Sequence, residues 1–367
     1  MTATKSNMQT TEKSGSFIGV DLFAGAGGMS LGAEWAGVDV VVAIENNRYA
    51  AETYRFNHPK TRVINEDIRN VDKIEIDRNG SKLIVFGGPP CKGFSTSNQR
   101  TRNSENPKNW LFKEFFRFVK MLEPDLIVFE NVKGIIETEG GKFHDYVIKS
   151  MEDLDFQVSD FVLCSADYGV PQIRNRFFAI GSREGVKFEK PEKTVTRFTT
   201  VKEVFEDLPD LPNGASVSRM PYKKPADSEI ARKLRGKKRV SENHLVTRNT
   251  PEIIERYKFI PQGGNWRDIP EEFMSSYRDR DNCHTGIYKR LKENEPSVVI
   301  GNFRKNMLIH PWQNRGLSVR EAARLQSFPD WFEFKGSIGP QQQQVGNSVP
   351  PLLSKNVFLK NTERRNF

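Results

Sequence analysis

The chain has 367 residues, of which 56 are Lys or Arg and 47 are Asp or Glu, for a net charge of +9. That length exceeds one modest core and suits two domains, while the positive balance points toward a polyanionic partner. Cysteines occur only at 91, 164 and 283 and the five histidines show no paired spacing, which excludes a disulfide framework and argues against a metal site. Residues 1–16 are polar and lack the apolar run of a signal peptide, and no later run reaches the length of a membrane span. An intracellular protein with a disordered N-terminal tail is expected.

Residues 17–23 (FIGVDLF) read as a buried strand running into AGAGGMSLGAEWAG, where Gly25, Gly27 and Gly28 open a helix carrying Leu31 and Trp35. A strand, a glycine turn and a helix make a nucleotide-type site, because the turn admits the ligand and the helix N-terminus offers free N–H groups. Position 30 is Ser and not the third glycine of a dinucleotide fingerprint, which lowers a NAD reading. The next strand, 38–44, ends at Glu45, about twenty residues after Gly25, where a carboxylate can accept from both ribose hydroxyls. The plainer reading makes Glu45 an N-cap or first-turn charge on a helix over 46–57. A third strand near 61–64 leads to Asp67 and Ile68, and Asp67 either accepts from an adenine amino group or forms an ordinary turn.

The stretch KLIVFGGPPCKGFS, 82–95, is an apolar strand that stops at two glycines, two prolines and a cysteine. Gly87 and Gly88 let another molecule come close, and Pro89 and Pro90 hold the following side chain on a stiff arm. Cys91 is read as a nucleophile whose thiolate the Lys92 charge favours; the alternative is a small buried hydrophobe. The polar loop 96–109 is long enough for a closing lid in which Arg100 and Arg102 meet phosphate. A helix over 110–122 places Leu111, Phe115, Phe118, Val119 and Leu122 on an apolar face. In DLIVFENVKGI a second buried strand, 126–129, ends in Glu130 and Asn131, so a carboxyl and a thiol converge on one sheet edge.

The segments VDLFAGAGG, FGGPPCKGFS and FENV resemble motifs of the DNA cytosine-5 methyltransferases of bacterial restriction-modification type. YGVPQIRNRFFAIGS (168–182) is similar to the family's paired-arginine motif, RGLSVREAARLQSFPD (315–330) to its small-domain motif and QVGNSVPP (344–351) to its closing motif. The resemblance implies an α/β fold: a doubly wound, Rossmann-like methyltransferase domain over 17–190 plus 338–367, and a smaller, mostly irregular or β target-recognition domain over 191–337. It implies S-adenosylmethionine as methyl donor, S-adenosylhomocysteine as product, and duplex DNA as partner of a cytoplasmic monomer. A companion restriction endonuclease need not touch the chain.

The family's roles carry over by position. Cys91 would add to cytosine C6, Glu130 would protonate N3, Arg176 would hold O2, and Arg174 would assist. The cofactor positions would be Phe23, Ala24, Gly25 and Gly27 at the turn, with Glu45, Asn46, Asp67 and Ile68 at the next two strand ends. Pro89, Leu111, Asn347 and Ser348 would complete them, the last two brought back by the C-terminal segment. Lys92 stands where the family usually has Gln, and Asn46 where many relatives have an aromatic residue, so Phe23 and Ile68 would hold the adenine more alone. DNA contacts are expected from Lys92, Ser95, Arg100 and Arg102 and from the basic cluster 219–239, with Lys223, Lys224, Arg235, Lys237, Lys238 and Arg239; a solvated helix is the plainer reading of that cluster. The helix within 317–328 is expected to turn Val319, Ala322, Ala323 and Leu325 inward. A structured RNA substrate such as tRNA, with the same chemistry, is the alternative; a non-catalytic DNA-binding protein is a third, against which the set Cys91, Glu130 and Arg176 argues.

Overall fold

Strands made of continuous apolar runs must be covered on both faces, and the N-terminal half supplies them in alternation with helices. The computed structural model describes residues 16–90, 111–274, 286–301, 303 and 308–362. The tail over 1–15 and the loop from Cys91 through Lys92, Ser95, Arg100 and Arg102 to residue 110 lie outside the described residues. In order come β1 (Phe17–Leu22), α1 (Gly28–Trp35), β2 (Val38–Ile44), α2 (Arg48–Asn57), β3 (Arg62–Ile64), β4 (Lys82–Gly87), α3 (Phe112–Leu122), β5 (Leu126–Val132), α4 (Lys142–Glu152), β6 (Gln157–Cys164) and β7 (Asn175–Ser182). Then follow α5 (Val201–Phe205), β8 (Met220–Pro221), α6 (Glu229–Arg235), β9 (Val240–Ser241), α7 (Pro251–Lys258), β10 (Lys289–Arg290), β11 (Leu308–Ile309), α8 (Val319–Leu325), α9 (Ile338–Asn347) and α10 (Pro351–Thr362).

The first seven strands form one sheet in the order β3-β2-β1-β4-β5-β7-β6. All neighbours are parallel except β7, which runs antiparallel to β5 and β6. Strand order reverses between β1 and β4, and ligands of such sheets bind beyond the strand C-termini at that crevice. One face packs Ile84, Phe86, Val128 and Phe178 against Met29 and Ala33 of α1 and Val357 and Phe358 of α10. The other packs Leu83, Val85, Ile127 and Phe129 against the aromatic face of α3 and against Phe143 and Val147 of α4. The C-terminal segment therefore does return to the first sheet.

Among the described residues, 191–337 contain two pairs of two-residue strands and four short α-helices joined by irregular chain and 3-10 turns. Their main core includes Val204, Phe205, Leu317, Val319, Leu325 and Phe328, and it also takes in Ala26 and Leu31 beside the glycine turn and Val345 of α9. The two parts thus share a core at the ligand end of the sheet.

The inward set expected for the 317–328 helix is buried, but α8 is shorter and its charged residues are buried too. Arg324 pairs with Asp207 and Asp330. Arg315 donates to Glu321 at 2.7 and 2.9 Å, and Arg320 donates to the carbonyl oxygens of Phe332 and Pro329 at 2.6 and 3.1 Å. A buried charge is tolerable only with such partners, so α8 is a cross-linked core element.

Candidate active site

The glycine turn begins at Phe23, which leaves β1 with φ 62, a left-handed conformation uncommon for a bulky residue. Gly25 and Gly27 follow at φ 56 and 94. The Ala24 N–H donates to Ile44 O at 3.0 Å, which ties the turn to the end of β2. There Glu45 accepts from the Gly25 N–H at 2.8 Å through Oε2 and from the Asn47 N–H at 2.7 Å through Oε1. Burial raises its pKa while these N–H groups pull it down. The cap of α2 is Asn47, whose Oδ1 accepts from the N–H groups of Tyr49 and Ala50, so α2 starts at Arg48 and the exposed Asn46 precedes it. Each Glu45 oxygen keeps acceptor capacity after these bonds. A Cβ added at Gly25 would meet nothing within 4 Å among the described residues, so there is open space above the turn among them.

Asp67 caps the turn that follows it: its Oδ1 accepts from the Arg69 N–H at 3.0 Å, and the Arg69 guanidinium closes a 2.6 Å ion pair on Oδ2. Arg69 holds the Asp67 carboxyl down at about 2. Ile68 beside it is buried, and Leu111, at the start of α3, is half-buried.

Gly87 and Gly88 were expected to admit another molecule, but both make room for this chain. A Cβ at Gly87 would stand 1.9 Å from Leu22 O, and one at Gly88 would stand 2.5 Å from Glu130 Oε2. Pro89 is buried and its carbonyl oxygen accepts from Asn131 Nδ2 at 3.2 Å. The arm that carries Cys91 is thereby pinned to β5, although Cys91 itself lies outside the described residues.

Glu130 does not follow a strand end as expected; it lies within β5, opposite Phe178 of β7. The antiparallel pairing puts Arg176 opposite Val132 on the same side, and Arg176 Nε sits 3.0 Å from Glu130 Oε1. Burial raises the Glu130 pKa against the opposing pull of Arg176 and Arg174. Arg174 is fully buried and donates from Nη2 to Gly346 O at 2.9 Å; its Nε and Nη1 have no partner among the described residues. Burial, with Arg176 adding to it, lowers the Arg174 pKa well below the usual value.

Gln172 belongs to this framework and carried no role in the sequence reading. It is buried, its Nε2 donates to Leu325 O at 3.2 Å, and its Oε1 accepts from the Ile300 N–H at 3.2 Å. Gln326 then donates to Val345 O at 2.9 Å, so α8 is hooked to α9. Ser348, just beyond α9, is buried and donates to Gln344 O at 2.7 Å, and a Cβ at Gly28 would stand 3.3 Å from its own Cβ. Asn347 is exposed. The closing segment therefore abuts the start of α1 next to the glycine turn.

The basic cluster divides. Lys223 pairs with Asp210 at 3.0 Å and Lys224 with Glu206 and Asp227 at 3.0 and 2.8 Å, while the Arg235 guanidinium lies 3.8 Å over the Tyr222 ring and donates to Lys224 O and Lys238 O. These three are matched within the chain, contrary to a cluster presented whole to phosphate. Lys237, Lys238 and Arg239 have no carboxylate partner among the described residues.

The pattern of C-5 cytosine-specific DNA methylases matches residues 17–362. The chain is 36% identical over 343 residues to the Type II methyltransferase M1.HphI of Haemophilus parahaemolyticus, covering 92% of this chain and 84% of that protein. It is 33% identical over 360 residues to the Type II methyltransferase M.DdeI of Desulfomicrobium norvegicum, covering 92% and 86%. A crystal structure described as a DNA modification methyltransferase encoded within an E. coli prophage matches with a TM-score of 0.78 at 28% identity, covering 96% of this chain and 100% of that one. The Dnmt2 methyltransferase of S. pombe shares the fold, with a TM-score of 0.61 at 17% identity, covering 95% and 99%.

Proposed function

The chain belongs to the C-5 cytosine-specific DNA methylase family and is a DNA (cytosine-5) methyltransferase, and from that premise we propose that it methylates a flipped-out cytosine through a covalent Cys91 adduct. The observation that carries this reading is Glu130, buried over Gly88 and against Arg176, on a strand whose next residue, Asn131, holds the carbonyl of Pro89 two residues before Cys91. An acid and the arm bearing the thiol are thereby fixed to one another.

S-adenosylmethionine fits the turn. Glu45 has acceptor capacity left for ribose hydroxyls, the space above Gly25 is open, and Phe23 offers a half-buried ring in a conformation that glycine would adopt more cheaply. Backbone outliers of that kind cluster at ligand sites. When bound, the donor supplies an electrophilic methyl group on a sulfonium sulfur. Asp67, Ile68, Pro89, Leu111 and Ser348 complete the proposed binding set, with Ala24, Gly27, Asn46 and Asn347 at its edge.

Cytosine C5 is too poor a nucleophile to be methylated directly. The Cys91 thiolate adds to C6, forming an S–C6 bond; the C5=C6 electron pair shifts toward C4, and N3 takes the Glu130 proton. The raised carboxyl pKa suits that task, since only a protonated acid can donate. Arg176 holds Glu130 in place and would present donors to O2. C5, now electron-rich, would take the methyl group, the donor keeping the electrons of its sulfur–methyl bond and leaving as S-adenosylhomocysteine. A base would then take the C5 proton, the C–H electrons re-forming C5=C6 as the S–C6 bond breaks to return the thiolate, and N3 would give its proton back to Glu130. The base must leave the duplex stack to reach this pocket, and Lys237, Lys238 and Arg239 are the proposed phosphate contacts of the cluster.

We further propose a host-protective role alongside a restriction endonuclease acting on the same site in a prokaryotic cytoplasm, supported by the two Type II relatives. The test is a duplex carrying 5-fluorocytosine at the target. Fluorine blocks the final C5 deprotonation, so wild type forms a gel-stable adduct and Cys91→Ser forms none while still shifting DNA. Undiminished methylation by Cys91→Ser would remove the thiol from the reaction.

A further inference from the structure

Beneath the glycine turn, α1 and α2 are clasped by two polar rungs. Ser30 and Glu34, one helical turn apart on α1, face Tyr54 on α2 and His58 at its C-cap, also one turn apart. In the upper rung the Tyr54 hydroxyl donates to Ser30 Oγ at 2.6 Å, and Ser30 Oγ donates to Asp21 Oδ2 at 2.6 Å. That chain of bonds ends on β1, two residues before Phe23. In the lower rung His58 Nδ1 lies 2.8 Å from Glu34 Oε1. A carboxylate only accepts, so Nδ1 carries the proton of this bond.

That Nε2 is buried and has no hydrogen-bond partner among the described residues. What it faces is Gly27: a Cβ there would stand 2.4 Å from His58 Nε2 and 3.0 Å from Tyr54 Cδ2. The two rings lie 4.4 Å apart, and the imidazole meets Phe332 of the second segment edge-on at 5.8 Å. Tyr54 is 0% and His58 2% exposed, and each ring is tied at its polar end. The turn above has three left-handed residues, Phe23, Gly25 and Gly27, the last of them in direct contact with both rings.

We propose that Tyr54 and His58 are positioning residues for the methyl donor, holding the turn so that the Gly25 N–H and Glu45 stay aligned; this rests on the donor reading above. A functional site must be held to within roughly 0.5 Å by its supporting shell, and the clasp is the part of that shell that lies under Gly27. One bond joins the helices in each rung, and His58 also packs under Gly27, so losing its ring removes bond and packing together whereas losing Glu34 removes the bond alone.

The test is calorimetric binding of S-adenosylhomocysteine to the full-length chain. His58→Ala is expected to weaken binding by about 10-fold or more and Glu34→Ala by about 3-fold, and the double variant binds no worse than His58→Ala because both break one rung. His58→Asn, whose amide can replace the Nδ1 donor, stays within about 3-fold of wild type. In turnover, the KM for the donor rises by more than kcat falls, which a merely structural role would not produce. Wild-type affinity in both His58→Ala and Glu34→Ala, or a loss confined to kcat, overturns the proposal. If His58→Ala does not fold, Glu34→Ala, at the solvent side of the rung, decides alone. Glu45→Ala separates the two levels of argument: if it too binds normally, the donor site has been misplaced, whereas a loss there with normal His58→Ala and Glu34→Ala sinks the clasp only.

Discussion

Gly88→Ala tests the catalytic geometry without touching any group that does chemistry. Gly88 is not at positive φ, so the substitution adds no backbone strain and acts through space alone. Its new methyl group would stand 2.5 Å from Glu130 Oε2, roughly 1 Å inside ordinary contact distance. Glu130 is buried and its other oxygen is held 3.0 Å from Arg176 Nε, so the carboxyl can yield only by tilting off that partner. A 1 Å misplacement of a catalytic group costs on the order of 100-fold, or about 2.7 kcal/mol in the barrier. The assay is transfer of radiolabelled methyl into a duplex containing the target site, with donor and DNA both saturating. The variant is expected to fold and to bind both ligands, with kcat down by about 100-fold. A kcat within about 3-fold of wild type would refute the placement of Glu130 over Gly88 as the working geometry.

Two further outcomes follow from buried charge. Burial pushes the Asp21 carboxyl up to about 8. Below about pH 4 the folded and unfolded chains both hold that proton, whereas between about 4 and 8 only the folded chain does. Stability contributed by this group therefore falls as pH rises and levels off above 8. Asp21→Asn removes the titration but keeps an acceptor for Ser30, so its stability relative to wild type is expected to improve from pH 5 to pH 8 by a few kcal/mol; a difference that does not change with pH would refute the assignment. Arg324→Met takes from Asp207 and Asp330, both almost fully buried, the guanidinium that they share and leaves them only the longer cation contacts of Arg235 at 3.6 Å and Arg320 at 3.7 Å. Urea unfolding should show a loss of about 3–5 kcal/mol, and a loss below about 1 kcal/mol would mean that the pair is not buried in solution.

Much of the ligand end was readable because each piece is local. The parallel strands announce themselves as apolar runs, and FAGAGG, GGPPC and FENV sit where those runs stop, so Phe23, Glu45 and Glu130 were all expected at one sheet edge. The errors came where a residue's meaning depends on a partner distant in sequence. Gly87 and Gly88 read as openings for a ligand, but whether a glycine admits a visitor or a neighbour depends on the strands beside it; here β1 and β5 fill the space. Glu130 read as lying past its strand, because nothing local shows that β7 would run antiparallel beside it and extend the pairing through Val132.

Charge patterning failed for the same reason and in both directions. Lys223, Lys224 and Arg235 read as a face offered to phosphate, but Asp207, Asp210 and Glu206 lie only a short loop upstream and claim them. On the 317–328 helix only Val319, Ala322, Ala323 and Leu325 were expected inward, but Arg320, Glu321 and Arg324 are buried and paired as well. Desolvating a guanidinium is costly enough that sequence reasoning properly assumes exposure; the assumption breaks at Arg324, to which the fold brings Asp207 and the Val204 carbonyl from more than a hundred residues upstream. The clasp under the glycine turn escaped notice in the same way. Ser30, Glu34, Tyr54 and His58 are unremarkable at an i,i+4 spacing on two separate helices, and they acquire meaning only because β1 and β2 are adjacent and parallel, which lays α1 and α2 side by side.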